Sequence, residues 1–363
     1  MKKKRVEVGK KAKIKQRKLY TQEDTWLEEF DVQSSSKHDV SRKSETRTLL
    51  KKSEMDYTAE QGRILAVGGR NWYVQSDITK EIIECMAGGT VFSLHTDSSL
   101  LAVGDIVGFK RIEEETGTQK GIIVSVGERS TKLSRRGIGK NAEEQVIISN
   151  ADQLLIVMSA ADPFYNKRLI DRYLIAAEQG GLQPIICINK IELMDKEFIK
   201  DDLKVYAGQL SVPVVFTSVK KKTGLNPLKK ILAGHLTVLS GPSGVGKSSL
   251  INAITGENIQ RTGSVSERTW KGRHITSSVK IFPMDEGFLA DTPGLRELGL
   301  WDIHPDDAAF FFHDFDAYFH HCKFTSCTHR HEPGCAVKEA VEQGLIDADR
   351  YHSYLNIAES LEE

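Results

Sequence analysis

The chain has 363 residues, with 50 Lys plus Arg against 50 Asp plus Glu and a formal net charge of zero. That length allows two or three domains, and the balanced charge singles out no partner by bulk electrostatics. No apolar run approaches the roughly 18 residues needed to span a bilayer, and no apolar h-region follows the basic start, so neither membrane insertion nor secretion is expected. Of five Cys, three (Cys322, Cys327 and Cys335) crowd into fourteen residues, which points to metal ligation in a reducing cytoplasm rather than to disulfides.

Residues 1–20 carry ten Lys or Arg against one Glu. Such a block self-repels and has too little apolar content to fold. It reads as a basic arm that either binds nucleic acid through counterion release or only solubilises the chain. Residues 1–58 as a whole read as a polar, largely disordered extension. Short β-type runs then follow at Arg63–Val67, Asn71–Gln75, Glu81–Cys85, Thr90–Leu94, Asp105–Ile112 and Gly121–Val126, with turn signals at Gly68-Gly69, Gly88-Gly89 and Thr116-Gly117. This pattern predicts a small β-barrel over 59–130, and spacing alone leaves OB-like and SH3-like versions open.

A polar stretch, Glu128–Glu144, leads into a second region, 145–299. Apolar runs at Gln153–Met158, Pro184–Ile188, Val212–Phe216, Leu236–Leu239, Val279–Phe282 and Phe288–Ala290 alternate with helical patterns, of which Asn166–Gln179 is the clearest. Alternation of buried strands and amphipathic helices predicts a parallel α/β sheet covered on both faces. A third region, 300–363, is rich in aromatics and His and ends in a helix predicted over Asp347–Leu361.

The strongest motif is Gly241-Pro242-Ser243-Gly244-Val245-Gly246-Lys247-Ser248, followed by Ser249 and a helical run. It matches G-x-x-x-x-G-K-[ST] between a strand and a helix. The glycines let N–H groups converge on phosphate oxygens, Lys247 would reach the β- and γ-phosphates, and Ser248 would ligate Mg²⁺. Asp291-Thr292-Pro293-Gly294 leaves the last apolar run, so Asp291 can hold the metal's water shell and Gly294 can offer its N–H to a γ-phosphate. Asn189-Lys190-Ile191-Glu192 is similar to the guanine-reading N-K-x-D, with Glu192 in place of the Asp. Ser218-Val219-Lys220 is similar to the S-A-K loop that backs the base. The base-reading pair precedes the phosphate elements, the reverse of the usual order in Ras-type GTPases. All sit at predicted strand ends, where doubly wound sheets bind ligands. A circularly permuted G domain accounts for the order.

Cys322-x4-Cys327-x-His329-x5-Cys335 supplies three thiolates and an imidazole, a ligand set of closed, structural zinc. His320, His321 and His331 are rival ligands at this stage. With this cluster in view, the chain over about 60–345 resembles the RsgA (YjeQ) family of bacterial ribosome-assembly GTPases, on the run Cys327–Val337 together with the three nucleotide motifs in permuted order. The resemblance implies an OB-like barrel, a permuted G domain and a zinc-binding, mostly α-helical C-terminal domain. It implies GTP hydrolysis stimulated by the small (30S) ribosomal subunit during its late maturation, with rRNA as the binding partner. A monomer is expected.

On the same resemblance, Gly272-Arg273-His274 matches the family's switch I segment. Leu295 stands where Ras-like enzymes place a water-positioning Gln and cannot orient water, which makes His274 the candidate to do so. Thr276 or Ser277 would bring the switch I hydroxyl to Mg²⁺. Two rival functions remain at this stage: a nucleotide-controlled RNA-binding checkpoint or scaffold, and a P-loop ATPase with a coincidental Asn-Lys-Ile-Glu.

Overall fold

The computed structural model describes residues 59–93, 99–113, 119–136, 144–256, 279–292, 300 and 303–362. The N-terminal extension and the candidates His274, Thr276, Ser277, Gly294 and Leu295 lie outside these residues. Among the described residues, no helix is long and apolar enough to cross a membrane.

Five strands come first: β1 (Glu60–Gly68), β2 (Asn71–Ser76), β3 (Ile82–Ser93), β4 (Ile106–Glu113) and β5 (Gln119–Val126). They pair in the order β1-β2-β3-β5-β4, and β4 returns to β1 to close a barrel. The crossover of β5 between β3 and β4 makes the barrel OB-like, which resolves the choice that spacing left open. Two predicted strands are in fact one. Glu81–Cys85 and Thr90–Leu94 merge into β3, and the Gly88-Gly89 turn signal marks a register irregularity against β5 between Ala87 and Phe92. Glycines inside a strand commonly mark such a bulge rather than its end.

The polar stretch after the barrel is also structured. β6 (Lys132–Arg136) and β7 (Glu144–Ser149) form an antiparallel ribbon. Leu133 and Ile148 are buried opposite each other, and Lys132 pairs with Glu144 at 2.9 Å.

The α/β sheet has strand order β10-β9-β8-β11-β13-β12, built from β8 (Gln153–Ser159), β9 (Gln183–Asn189), β10 (Val214–Phe216), β11 (Leu236–Ser240), β12 (Lys280–Pro283) and β13 (Phe288–Asp291). All pair in parallel except β12, which is antiparallel to β13. Every residue of β8 is buried, as a central parallel strand requires. Its alternate residues feed different cores. Leu154, Ile156 and Met158 pack with α1 (Lys167–Gly180), while Leu155 and Val157 pack with α4 (Leu225–Leu232) and α5 (Lys247–Thr255). Short α2 (Lys196–Asp202) and α3 (Lys204–Gly208) lie between β9 and β10. α1 starts where the Asn166 side chain accepts the Leu169 N–H and stops at Gly181 in the left-handed region. The barrel joins this sheet through Ala66 of β1, which pairs with Lys280 of β12, so eleven strands form one sheet.

The C-terminal region is helical, as expected, although its first half is 3-10 rather than α. Short 3-10 turns over Pro305–Phe311, His313–Phe315 and Phe319–His321 precede α6 (Ala336–Glu342) and α7 (Ala348–Glu362). Phe312, Phe315 and Tyr354 form a buried ring cluster. Beside it Arg350 of α7 bonds Asp171 of α1 at 2.6 Å and Asp314 at 2.7 Å, with its guanidinium 4.4 Å from the Phe312 ring centroid. All three charged side chains are almost wholly buried.

Candidate functional site

The C-terminal ends of β9, β10, β11 and β13 bring together residues from 189 to 291. Register places Leu239 of β11 beside Asp291 of β13, and Val157 of β8 lies alongside the start of the phosphate loop. The loop Gly241–Gly246 then leads into α5 at Lys247, so Ser248 and Ser249 occupy the first helical turn. Two glycines are obligatory here. A Cβ on Gly241 would come within 2.0 Å of the Val157 carbonyl oxygen, and one on Gly246, at φ +94°, within 2.5 Å of Asn189 Nδ2.

The second contact shows how the base-reading motif meets the phosphate loop. Asn189 is buried, its Nδ2 donates to the Val245 carbonyl at 2.9 Å, and its Oδ1 accepts from the Thr217 hydroxyl at 3.2 Å. Both ends of the amide are satisfied, so its orientation is set. The role of the Thr217 side chain was not legible in the motif, which singles out the residues after it. Lys190, in a left-handed conformation, reaches across to the carbonyl of Asp162, in the loop after β8. Pro163 of that loop also lies beside Gly244. This ledge carries no motif signal. Val219 packs against the core under α4, and Ile191 against the opposite one.

At the phosphate end, Lys247 Nζ donates to the carbonyls of Gly241 and Pro242, both at 2.7 Å. Burial pushes the Asp291 carboxyl up, and Lys247 and Lys280 pull against that shift. Thr292 anchors the chain after it by donating to the Leu239 carbonyl at 3.0 Å. Glu192 sits at the other end, held below the usual carboxylate range by a hydrogen bond from Ser218, with Lys220 and Lys221 adding to the effect.

The second candidate site lies in the C-terminal region. One ligand atom each from Cys322, Cys327, His329 and Cys335 lies within 4.8 Å of the others. His329 Nδ1 is 3.5 Å from Cys322 Sγ and 3.4 Å from Cys335 Sγ. Tetrahedral zinc with bonds of about 2.3 Å to sulfur and 2.05 Å to nitrogen would separate S and N by roughly 3.6 Å, so the donor set fits a zinc ion. The rivals His320, His321 and His331 are not in the cluster. Burial pushes Cys327 up to about 12, with Cys335 and Cys322 adding to the effect, and burial also raises Cys335 and lowers His329. A divalent cation offsets such penalties by stabilising the thiolates. The loop is supported from outside the motif. Glu332 accepts from the Thr328 N–H and hydroxyl and from the Arg330 N–H, and Tyr351 donates to the His329 carbonyl at 2.8 Å.

A P-loop α/β domain with permuted motif order, preceded by an OB-like barrel and followed by a Cys3His cluster, defines a circularly permuted GTPase class. Comparison with known proteins places the chain within it. The family model described as RsgA GTPase matches residues 126–301. Proteins named small ribosomal subunit biogenesis GTPase RsgA from Chlorobaculum parvum and Chlorobaculum tepidum are 39% and 40% identical over 307 residues, covering 83% of this chain and 98% of their own lengths. Among solved structures, YjeQ from Thermotoga maritima aligns with TM-score 0.64 and 29% identity over 83% of this chain and 98% of its own. YloQ, described as a circularly permuted GTPase, aligns with TM-score 0.62 and 27% identity over 85% and 97%. The chain belongs to the RsgA family of GTPases.

Proposed function

We propose that this chain hydrolyses GTP to GDP while bound to the small ribosomal subunit and assists late maturation of that particle. The observation that carries the nucleotide part is the Asn189 amide, bonded to Val245 of the phosphate loop although the two motifs are 56 residues apart and in reversed order. The ribosomal part rests on family membership and on the names its relatives carry.

In this reading Asn189, Lys190, Ile191 and Glu192 with Ser218, Val219 and Lys220 hold the guanine base. Gly241 to Ser249 wrap the phosphates. Ser248 and Asp291 supply the hard oxygen donors that Mg²⁺ favours, with Thr276 proposed from sequence as a further donor. When bound, that ion neutralises charge developing on the transferred phosphoryl group. Lys247 moves from the Gly241 and Pro242 carbonyls to the β- and γ-phosphates, and the Gly294 N–H holds the γ-phosphate. His274 orients the attacking water. One structural zinc occupies the Cys322, Cys327, His329 and Cys335 cluster. The domain division is an extension over 1–58, barrel over 59–130, G domain over 145–299 and zinc domain over 300–363. The protein acts as a cytoplasmic monomer that contacts rRNA.

The test is GTP turnover by the purified chain with and without small subunits, paired with co-sedimentation in GDP and in a non-hydrolysable GTP analogue. Slow basal turnover that accelerates on adding subunits supports the reading. No acceleration at any salt concentration removes its ribosomal part. A single-turnover rate unchanged by His274→Ala removes that residue from the chemistry.

A further inference from the structure

The loop after β8 belongs to none of the nucleotide motifs, yet it grips the base-reading segment by main chain and side chain alike. The Ala160 N–H donates to the Asn189 carbonyl at 2.9 Å, and Lys190 Nζ donates to the Asp162 carbonyl. Asp162, at φ +52°, and Lys190, at φ +56°, both sit in the left-handed region that side chains rarely adopt. Strain of that kind gathers at ligand clamps. On its other flank the ledge abuts the phosphate loop, where a Cβ on Gly244 would lie 3.4 Å from Pro163 Cδ. The ledge is itself held from behind. The hydroxyl of Ser159, buried at the end of β8, donates to the Pro163 carbonyl at 2.6 Å, and the buried Tyr165 donates to Asp202 of α2.

A lysine side chain is a flexible alkyl stem that swings freely when its ammonium is solvated. Tying the ammonium to a carbonyl fixes the stem as an apolar strip, a shape that suits the flat face of a purine. Resting on the guanine-binding role proposed above, we infer that the ledge 159–163 is a wall of the base site. The Asp162 carbonyl tethers Lys190 so that its methylenes pack against the ring, and Ser159 is the positioning residue that holds that carbonyl in place. Ser159 does so through the next peptide, since its proton goes to the Pro163 carbonyl and leaves the Asp162 carbonyl for the ammonium. The strip meets the face of the base and not its edge. The ledge therefore supplies affinity for purines in general and leaves the choice of guanine to the rest of the motif.

The experiment is a double-mutant cycle on the full-length chain, with GDP and IDP affinities measured for wild type, Ser159→Ala, Lys190→Met and the double variant. Methionine keeps an unbranched apolar side chain and removes the ammonium. Ser159→Ala is expected to weaken GDP about fivefold, the scale of one hydrogen bond, and IDP by the same factor. Lys190→Met should weaken GDP at least as much. The double variant should match Lys190→Met within about twofold, because Ser159 acts through a tether that is already gone. A purely structural loss in β8 would multiply with the second change, so full additivity overturns the inference. GDP affinity unmoved by either single change overturns it too, as does a GDP-to-IDP ratio shifted by Ser159→Ala. Should Ser159→Ala not fold, Ser159→Cys, a weaker donor of similar size, takes its place in the same cycle. Equal binding of ADP and GDP by wild type overturns the guanine reading beneath the inference, whereas coupling between Ser159 and Lys190 still reports on the ledge.

Discussion

The nucleotide cradle and the Cys3His cluster are assembled in opposite ways. The cradle draws on four strand ends spread over about a hundred residues, and backbone pairing of β9, β10, β11 and β13 sets its geometry. Its side chains already hold one another, as the Thr217–Asn189–Val245 chain of hydrogen bonds shows. The cluster takes all four ligands from Cys322 to Cys335, a segment with one short 3-10 turn before it and a seven-residue helix after it. A sheet can hold an empty site in shape. A short loop of thiols depends on its cation to do so, so the two sites should respond differently to the same insult.

Metal removal separates them most sharply. A strong chelator, or Cys327→Ser, is expected to release one equivalent of zinc and to melt the C-terminal region, because binding energy at such sites is folding energy of about 10 kcal/mol or more. GDP affinity measured in the same samples should change little. Metal content unaltered by Cys327→Ser would exclude that ligand. Next in size is Arg350→Met, which strands Asp171 and Asp314 in the interface between α1 and α7. Breaking a buried ion pair on one side costs about 3–5 kcal/mol, read as a lower urea midpoint for the protein. Loss of the C-terminal transition before the nucleotide site would again set the two regions apart.

Thr217→Val keeps the shape of the side chain and removes the hydroxyl that orients Asn189. A loss of about 1 kcal/mol, or roughly fivefold in GDP affinity, is expected from one hydrogen bond, with zinc content unchanged. The smallest effect concerns His313, which bridges Glu178 of α1 and Asp316, both at 3.1 Å. Burial works against its charge, but Asp316 and Glu178 outweigh burial and raise its proton affinity. A raised folded-state value means that the stabilisation is complete below the unfolded value, near 6.5. It fades as pH climbs through the higher folded one. Melting temperature should therefore drop slightly between pH 6 and pH 8, and His313→Gln should flatten that slope.

Motif spacing made both sites legible because each needs particular residue types at particular offsets. Orientation was less legible. Nothing in Asn-Lys-Ile-Glu announces that Thr217 turns its first residue, or that Glu332 and Tyr351 brace the thiolate loop, since those contacts depend on packing between distant segments. In the barrel, Gly88-Gly89 carried the same letters as a turn but sits within one long strand, where its partner β5 rather than local preference decides. The β6–β7 ribbon leaves little trace in the sequence for a different reason. Leu133 is the one apolar residue in its strand, too sparse for a periodic signal, and its burial comes from Ile148 across the ribbon.

The position of β8 between β9 and β11 has a consequence for synthesis. In this motif order the strand preceding the phosphate loop is made about eighty residues after the strand it pairs with. At translation speeds of about 5–20 residues per second, β8 waits roughly 4–16 s for that neighbour. Throughout that interval a strand with no exposed residue in the finished protein presents an unpaired edge, the kind of surface on which nascent chains stick to one another. The earlier segments, β9 and α1, can cover part of it, but the edge itself stays open until β11 emerges. Permutation thus gives the newborn chain a period of vulnerability in the middle of its own production.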